Sequence, residues 1–177
     1  MPESIKVVFD ILAKYNTMTN KEVVEVIKGL ESSKLTEDLG SYYGSILGLL
    51  DHQLVGDIGW LRVLGENVKD LDFLLPLLKD YQTERIPPKD LHWKTLSDYN
   101  TIRVEVDKLL ERVVTTLSPD QYSTSITLEG RRGKFTYIVW KILLQLFNHH
   151  THHRGGVAVL LDQLNIENSY SNLLWKV

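Results

Sequence analysis

Four of the six histidines in this chain fall within five consecutive residues, as His149, His150, His152 and His153 around Thr151. The run lies inside the sequence, away from the termini where a purification tag would sit. On a helix turning about 100° per residue, His149 and His153 are an i, i+4 pair standing one above the other. Projected over residues 133–164, they share an arc with Phe135, Ile138, Val139, Ile142, Leu146, Leu160 and Leu164. His150 falls at the edge of that arc beside Leu143 and Leu161, and His152 turns to the polar side with Gln145 and Asn148. Two inward imidazoles at this spacing can ligate one metal ion. The competing reading is a pair of core histidines hydrogen-bonded to their neighbours. An unsatisfied buried polar group costs about 1–3 kcal/mol, and a single metal would satisfy both rings at once.

His52 supplies a third candidate ligand. It lies mid-helix in GSILGLLDHQLVGDIGWL, with Ser45, Gly48, Leu49, Val55, Gly56 and Gly59 as helical neighbours. Each glycine disfavours a helix by about 1 kcal/mol relative to alanine. Three on one face predict cleared space around the imidazole, for a metal and an exogenous ligand or for close helix packing alone. His52, His149 and His153 on two helices would leave a coordination position open, as catalytic metal sites require. Asp51 and Asp57 are candidate partners for a ligating imidazole, although neither shares the face of His52 and solvated helix acids are the simpler expectation. His92, beside Trp93, reads as a surface or packing residue. Arg154 reads as an anion ligand, an ion-pair partner or a surface residue, and Trp60 and Trp140 as core. No Ser-His-Asp arrangement and no glycine-rich phosphate loop is present, and no confident general base stands out beyond His150 or His152.

The elements that must position these residues are helical. Amphipathic stretches cover roughly 3–31, with a bend near Asn16, then 39–66, 97–117 with Ser97 or Asp98 as N-cap, and 133–164. Residues 32–38 make a short turn. Residues 67–96 are long and contain Pro76, Pro87 and Pro88, which suits a crossover connection between the second and third helices; a short extra helix is expected around Pro76. An extended piece is expected at 123–128, within a 118–132 linker, and no strand elsewhere. The expected fold is therefore all-α, a single domain over 1–177.

Composition narrows the function classes. Hydrophobic residues make up 43% and charged residues 24% of the 177 residues, as in globular chains. There is no cysteine, which excludes disulfides, zinc–thiolate sites and a cysteine nucleophile and fits a reducing, cytoplasmic setting. The start, MPESIKVVFD, does not read as a signal peptide, and no apolar run reaches the length of a membrane span. With a net charge of −3 and no long basic run, neither nucleic acid nor a membrane is an expected partner.

The motifs in order resemble a known family. Phe147-Asn148-His149-His150-Thr151-His152-His153-Arg154-Gly155 is similar to the NHxTHHRG signature of the DinB-like (DinB/YfiT) family. Gly44-Ser45-Ile46-Leu47 through His52 to Asp57 and Trp60-Leu61 resembles its first-histidine helix. Tyr15-Asn16 and Asn20 resemble its YNxWxN element, and Arg103 and Asp107 fit its third helix. The match covers roughly residues 10–164. It implies a four-helix bundle running up-down-down-up, often a homodimer, with one divalent metal, commonly nickel or zinc, on three histidines matching His52, His149 and His153. It further implies metal-dependent chemistry on a small-molecule substrate, in some relatives thiol transfer or isomerisation with a low-molecular-weight thiol as cosubstrate. A non-enzymatic metal-binding stress-response protein and a metal-dependent hydrolase are the alternatives. Two departures from the pattern touch substrate more than metal: Gly156 stands where the family has glutamine after HHRG, and Met18 where it has tryptophan.

Overall fold

A computed structural model of the chain describes residues 2–130 and 133–177. It is mostly helical, with a small hairpin: α1 Pro2–Ile27, α2 Ser32–Thr36, α3 Ile46–Asn67, α4 Leu74–Leu78, α5 Leu96–Thr116, β1 Ser125–Gly130, β2 Gly133–Ile138, α6 Val139–Gln163 and α7 Leu173–Lys176. A 3₁₀ turn at Gln121–Ser123 leads into β1.

The four long helices form because each carries an apolar stripe at helical spacing. On α1 the buried positions are Phe9, Ala13, Tyr15, Asn16, Thr19, Asn20, Val23, Val24 and Ile27, along a continuous helix with Asn16, Thr19 and Asn20 as polar residues among them. α3 starts where the Ser45 side chain accepts a hydrogen bond from Gly48 N at 3.0 Å. α5 starts where Thr95 Oγ1 accepts from Asp98 N at 3.1 Å; each cap satisfies an amide that the first turn leaves without an intrahelical partner. α1 packs on α5 and α6, and α3 packs on α5, α6 and α4, so the apolar stripes close on one core that includes Ile46, Leu50, Leu54, Ile58, Val106, Val113, Leu143 and Val157. No helix among the described residues is long and apolar enough to cross a membrane.

The sequence expectations hold in outline and shift in detail. The short helix around Pro76 is present as α4, and the extended piece expected at 123–128 becomes β1. The N-cap of α5 is Thr95, not Ser97 or Asp98. The turn expected at 32–38 contains α2. The second helix begins at Ile46 rather than 39, because the backbone first makes a tight turn over Ser41–Gly44, with Gly44 N donating to Ser41 O at 2.9 Å. The largest correction concerns residues 133–138, expected as helix. They form β2, paired antiparallel with β1 from Ser125 opposite Ile138 to Gly130 opposite Gly133. Arg131 and Arg132, at the end of the expected 118–132 linker, lie outside the described residues. The strand's alternation of Phe135, Thr136, Tyr137 and Ile138 has period two, and its aromatic and β-branched residues suit a pleated surface. Phe135, expected in the core, is 43% exposed.

Candidate metal centre

α3 and α6 carry the site. Leu49 lies against Gly156 and Gly56 against His149, which brings His52 into the gap between His149 and His153. The Nε2 atoms converge: His149 to His52 at 3.2 Å and His153 to His149 at 2.9 Å. One ligand atom from each of the three histidines can be chosen so that all lie within 4.8 Å of one another. His153 is buried, whereas His52 and His149 are half-buried. Burial lowers the pKa of all three; for His153, burial together with the neighbouring imidazoles, His149 foremost, pushes it down to about 3. All three rings are therefore neutral at physiological pH, the form that ligates.

These donors fit a divalent cation. A neutral imidazole nitrogen carries either a hydrogen or one lone pair, never both. His149 Nε2 faces two other ring nitrogens, so no placement of hydrogens makes both contacts good hydrogen bonds. Three lone pairs directed at one centre remove the conflict. Nitrogens bound about 2.1 Å from a tetrahedral ion sit about 3.4 Å apart, close to the 3.2 Å and 2.9 Å separations here. A cavity of about 240 Å³ opens beside His52, lined by Tyr43, Val55 and the crossover residues Thr83–Pro88, Asp90 and His92.

Three features were not legible in the spacing. Tyr43, in the turn before α3, stacks on His52 with ring centroids 4.0 Å apart and sets its hydroxyl 2.9 Å from His52 Nε2. Desolvation raises the Tyr43 phenol, which keeps it an O–H donor. Second, His150, expected at the edge of the arc, is completely buried. Its Nε2 donates to Asp57 Oδ1 and its Nδ1 accepts from Gln53 Nε2, each at 2.8 Å. With both nitrogens engaged away from the cavity, it is removed from the general-base candidates. Third, the small face of α3 is not a single pocket. A Cβ on Gly48 would lie 2.1 Å from Tyr43 O, one on Gly56 would lie 3.1 Å from His149 Cε1, and Gly59 has nothing within 4 Å. Of the three, only Gly56 has one of the candidate ligands, His149, against it.

Behind the histidines runs a buried polar network. Arg103 donates to Asp57, and its Nη2 lies 2.8 Å from Asp107 Oδ1. Asn16 and Asn20 donate to Asp107 Oδ1 at 3.1 Å and 2.9 Å. Arg154 Nη1 donates to Asn16 Oδ1 at 2.6 Å. Burial alone would raise the Asp57 carboxyl, but His150 and Arg103 outweigh it and hold it below the ordinary carboxylate value. Asp57 and Arg154 are thus interior groups, not the solvated acid and surface arginine the sequence allowed. Asp51 is buried as well: it accepts from His92 N and Trp93 N, both at 2.9 Å, and its Oδ2 faces His92 Nδ1 at 2.9 Å. His92 Nε2 meets Glu84 O at 3.0 Å. Desolvation opposes charge on His92, yet Asp51 and the Glu84 carbonyl raise its pKa. His92 therefore ties the crossover to α3 beside the cavity. Trp60 and Trp140 are half-buried at the edge of the core, and His152 is exposed, its ring 4.8 Å from that of His153.

A family model described as the DinB family matches residues 1–176. Among curated proteins, Protein DinB of Bacillus subtilis (strain 168) is 26% identical over 155 residues, which covers 86% of this chain and 83% of that protein.

Proposed function

Since this chain belongs to the DinB family, we propose that it is a divalent-metal protein whose ion sits on His52, His149 and His153 and serves chemistry on a small molecule. The observation that carries the reading is the convergence of three neutral imidazole nitrogens, of which His52 lines a cavity. A divalent cation there would lower the pKa of a bound thiol or water and so supply a nucleophile at neutral pH. The chain's own contribution is to hold three rings in place, with His150 between Asp57 and Gln53 fixing the rotation of α6 against α3. The crossover residues Thr83–Pro88 wall off part of the solvent on the His52 side. Because the sequence has no cysteine, a thiol nucleophile would come from outside, as a low-molecular-weight cosubstrate attacking an electrophile. Zinc and nickel both suit three imidazoles.

The rival reading is a metal held without chemistry. It gains from Tyr43, whose hydroxyl already stands 2.9 Å from His52 Nε2 and would close the site if it were a fourth ligand. Cobalt-loaded protein separates the two. Under the enzyme reading, a small thiol at millimolar concentration adds a near-ultraviolet charge-transfer band, and a spectrum that thiols leave unchanged removes the basis for thiol transfer.

The same proposal takes residues 1–177 as one domain, an up-down-down-up four-helix bundle with residues 68–95 as the crossover. Contacts along the helices support it. Lys6 reaches Val114 O and Asn20 reaches Asp107, so α1 and α5 run opposite ways. Leu49 meets Gly156 and Gly56 meets His149, so α3 and α6 also oppose. Phe9 lies by Phe147 and Asn16 by Arg154, so α1 and α6 run together. A homodimer is part of the proposal too, and sedimentation velocity tests it.

A further inference from the structure

The turn before α3 is built with more care than a connection needs. Gly44 adopts φ +76°, a left-handed conformation that side chains other than glycine rarely take. Gly44 N donates to Ser41 O, and Leu39 N donates to Gly44 O at 2.8 Å, which pins the turn at both ends. Gly48 lets the Tyr43 carbonyl press onto the first turn of α3, where any Cβ would lie 2.1 Å from it. Ser45 caps the same turn. Together these fix the backbone of Tyr43, and its ring is fixed in turn by stacking on His52 at 4.0 Å and lying edge-on to His153 at 5.7 Å. The hydroxyl ends 2.9 Å from His52 Nε2, on the cavity side of the histidine cluster.

We propose that Tyr43 is a positioning residue, whose hydroxyl donates a hydrogen bond to the exogenous ligand taken up beside His52. The proposal rests on the metal reading above. Once the lone pair of His52 Nε2 is committed to a cation, it can no longer accept from the phenol. The hydroxyl is then free to serve another acceptor, and an anionic or thiolate atom entering from the cavity that Tyr43 lines supplies one. Its neighbour Tyr42 also borders the open space beside His52 but is not held against the imidazole. Tyr42 is 72% exposed and touches Tyr43 only ring to ring at 5.0 Å. The inference selects ligands that bring an acceptor atom with negative charge over ligands that bind only through apolar contact.

Cobalt-loaded protein tests this with azide as the probe, titrated through the visible spectrum. Tyr43→Phe keeps the stacked ring and removes only the oxygen. Cobalt stoichiometry and affinity are expected to match the wild type, while azide binds about tenfold more weakly, the scale of losing a hydrogen bond to a charged acceptor. Tyr42→Phe is expected to bind azide as the wild type does. Unchanged azide affinity in Tyr43→Phe overturns the proposal and leaves the metal reading intact. Loss of cobalt from a Tyr43→Phe variant with wild-type circular dichroism also overturns it, by making Tyr43 a fourth ligand. A wild-type chain that takes up no cobalt overturns the metal reading and this proposal together.

Discussion

Replacing Asp57 by asparagine should cost a large part of the stability of this chain, because the carboxylate is one of four charges that balance in the interior. Asp57 and Arg103 are each about 1% exposed in their side chains. Asp107 and Arg154 complete the set at 3% and 4% exposure, and His150 stays neutral because burial, foremost, lowers its pKa. Asparagine keeps the shape and can still accept from His150. Its amide cannot pair with Arg103, and the cluster is left with one positive charge in excess. Breaking a buried pair from one side costs about 3–5 kcal/mol, against a total stability of about 5–15 kcal/mol for a domain. Urea unfolding of metal-free protein in chelator isolates this loss from any gain through metal binding. The companion Asp57→Asn/Arg103→Gln restores the balance between Asp107 and Arg154. It should cost less than the sum of the single changes, with a coupling of about 1–3 kcal/mol. A loss below about 1 kcal/mol for Asp57→Asn, or additive single changes, would refute the balanced-charge argument.

Metal affinity measured by competition with a chromophoric chelator should fall by more than a hundredfold in His149→Ala and in His153→Ala, and stay within about threefold in the exposed His152→Ala; equal losses at all three positions contradict the geometry. Gly56→Ala should weaken metal binding without unfolding the chain, since its Cβ would sit 3.1 Å from His149 Cε1 and the ring must yield by a few tenths of an ångström; unchanged affinity would mean that His149 has slack. The stability of the metal-free protein should depend on pH in two opposed ways. His150 and His153 have lowered folded pKa values, so below about pH 6.5 the unfolded chain binds more protons, and stability is full above that pH and falls as pH drops. For the fully buried His150 the slope approaches about 1.4 kcal/mol per pH unit. His92 has a raised folded pKa, so its contribution is full below about pH 6.5 and is lost as pH rises through the raised value. Urea midpoints from pH 4 to 9 for wild type and His92→Gln should therefore converge on the alkaline side, and a constant difference across the range would exclude a charged His92.

The helical character and the three histidines were legible because both are local. An i, i+4 pair needs only the rise of a helix, and His52 lies mid-helix whether α3 is started at 39 or at Ile46. The phase of α6 was less secure. The projection counted Phe135 and Ile138, which belong to β2, and left Leu143, His150, Arg154 and Leu161 off the central arc, which turned the inferred inward face away from the buried one. That projection put His149 and His153 inside the arc and His150 at its edge, whereas the buried stripe runs through Leu143, Leu146, His150, Arg154 and Val157. The interior roles of Asp57, Arg103, Asp107, Asn16 and Arg154 were hidden for a different reason. Each looks like a solvated polar residue on its own helix, and becomes interior only when its partner arrives from another. Tyr43 gave no periodic signal because it sits in a turn, where position is set by backbone conformation rather than by spacing.

X-ray absorption at the zinc edge, on protein loaded with one equivalent of zinc, tests the metal centre most directly. Three imidazole nitrogens are expected around zinc at about 2.0–2.1 Å, reduced by one in each of His52→Ala, His149→Ala and His153→Ala. Failure to retain zinc, or oxygen ligands alone without imidazole scattering, would contradict the three-histidine site.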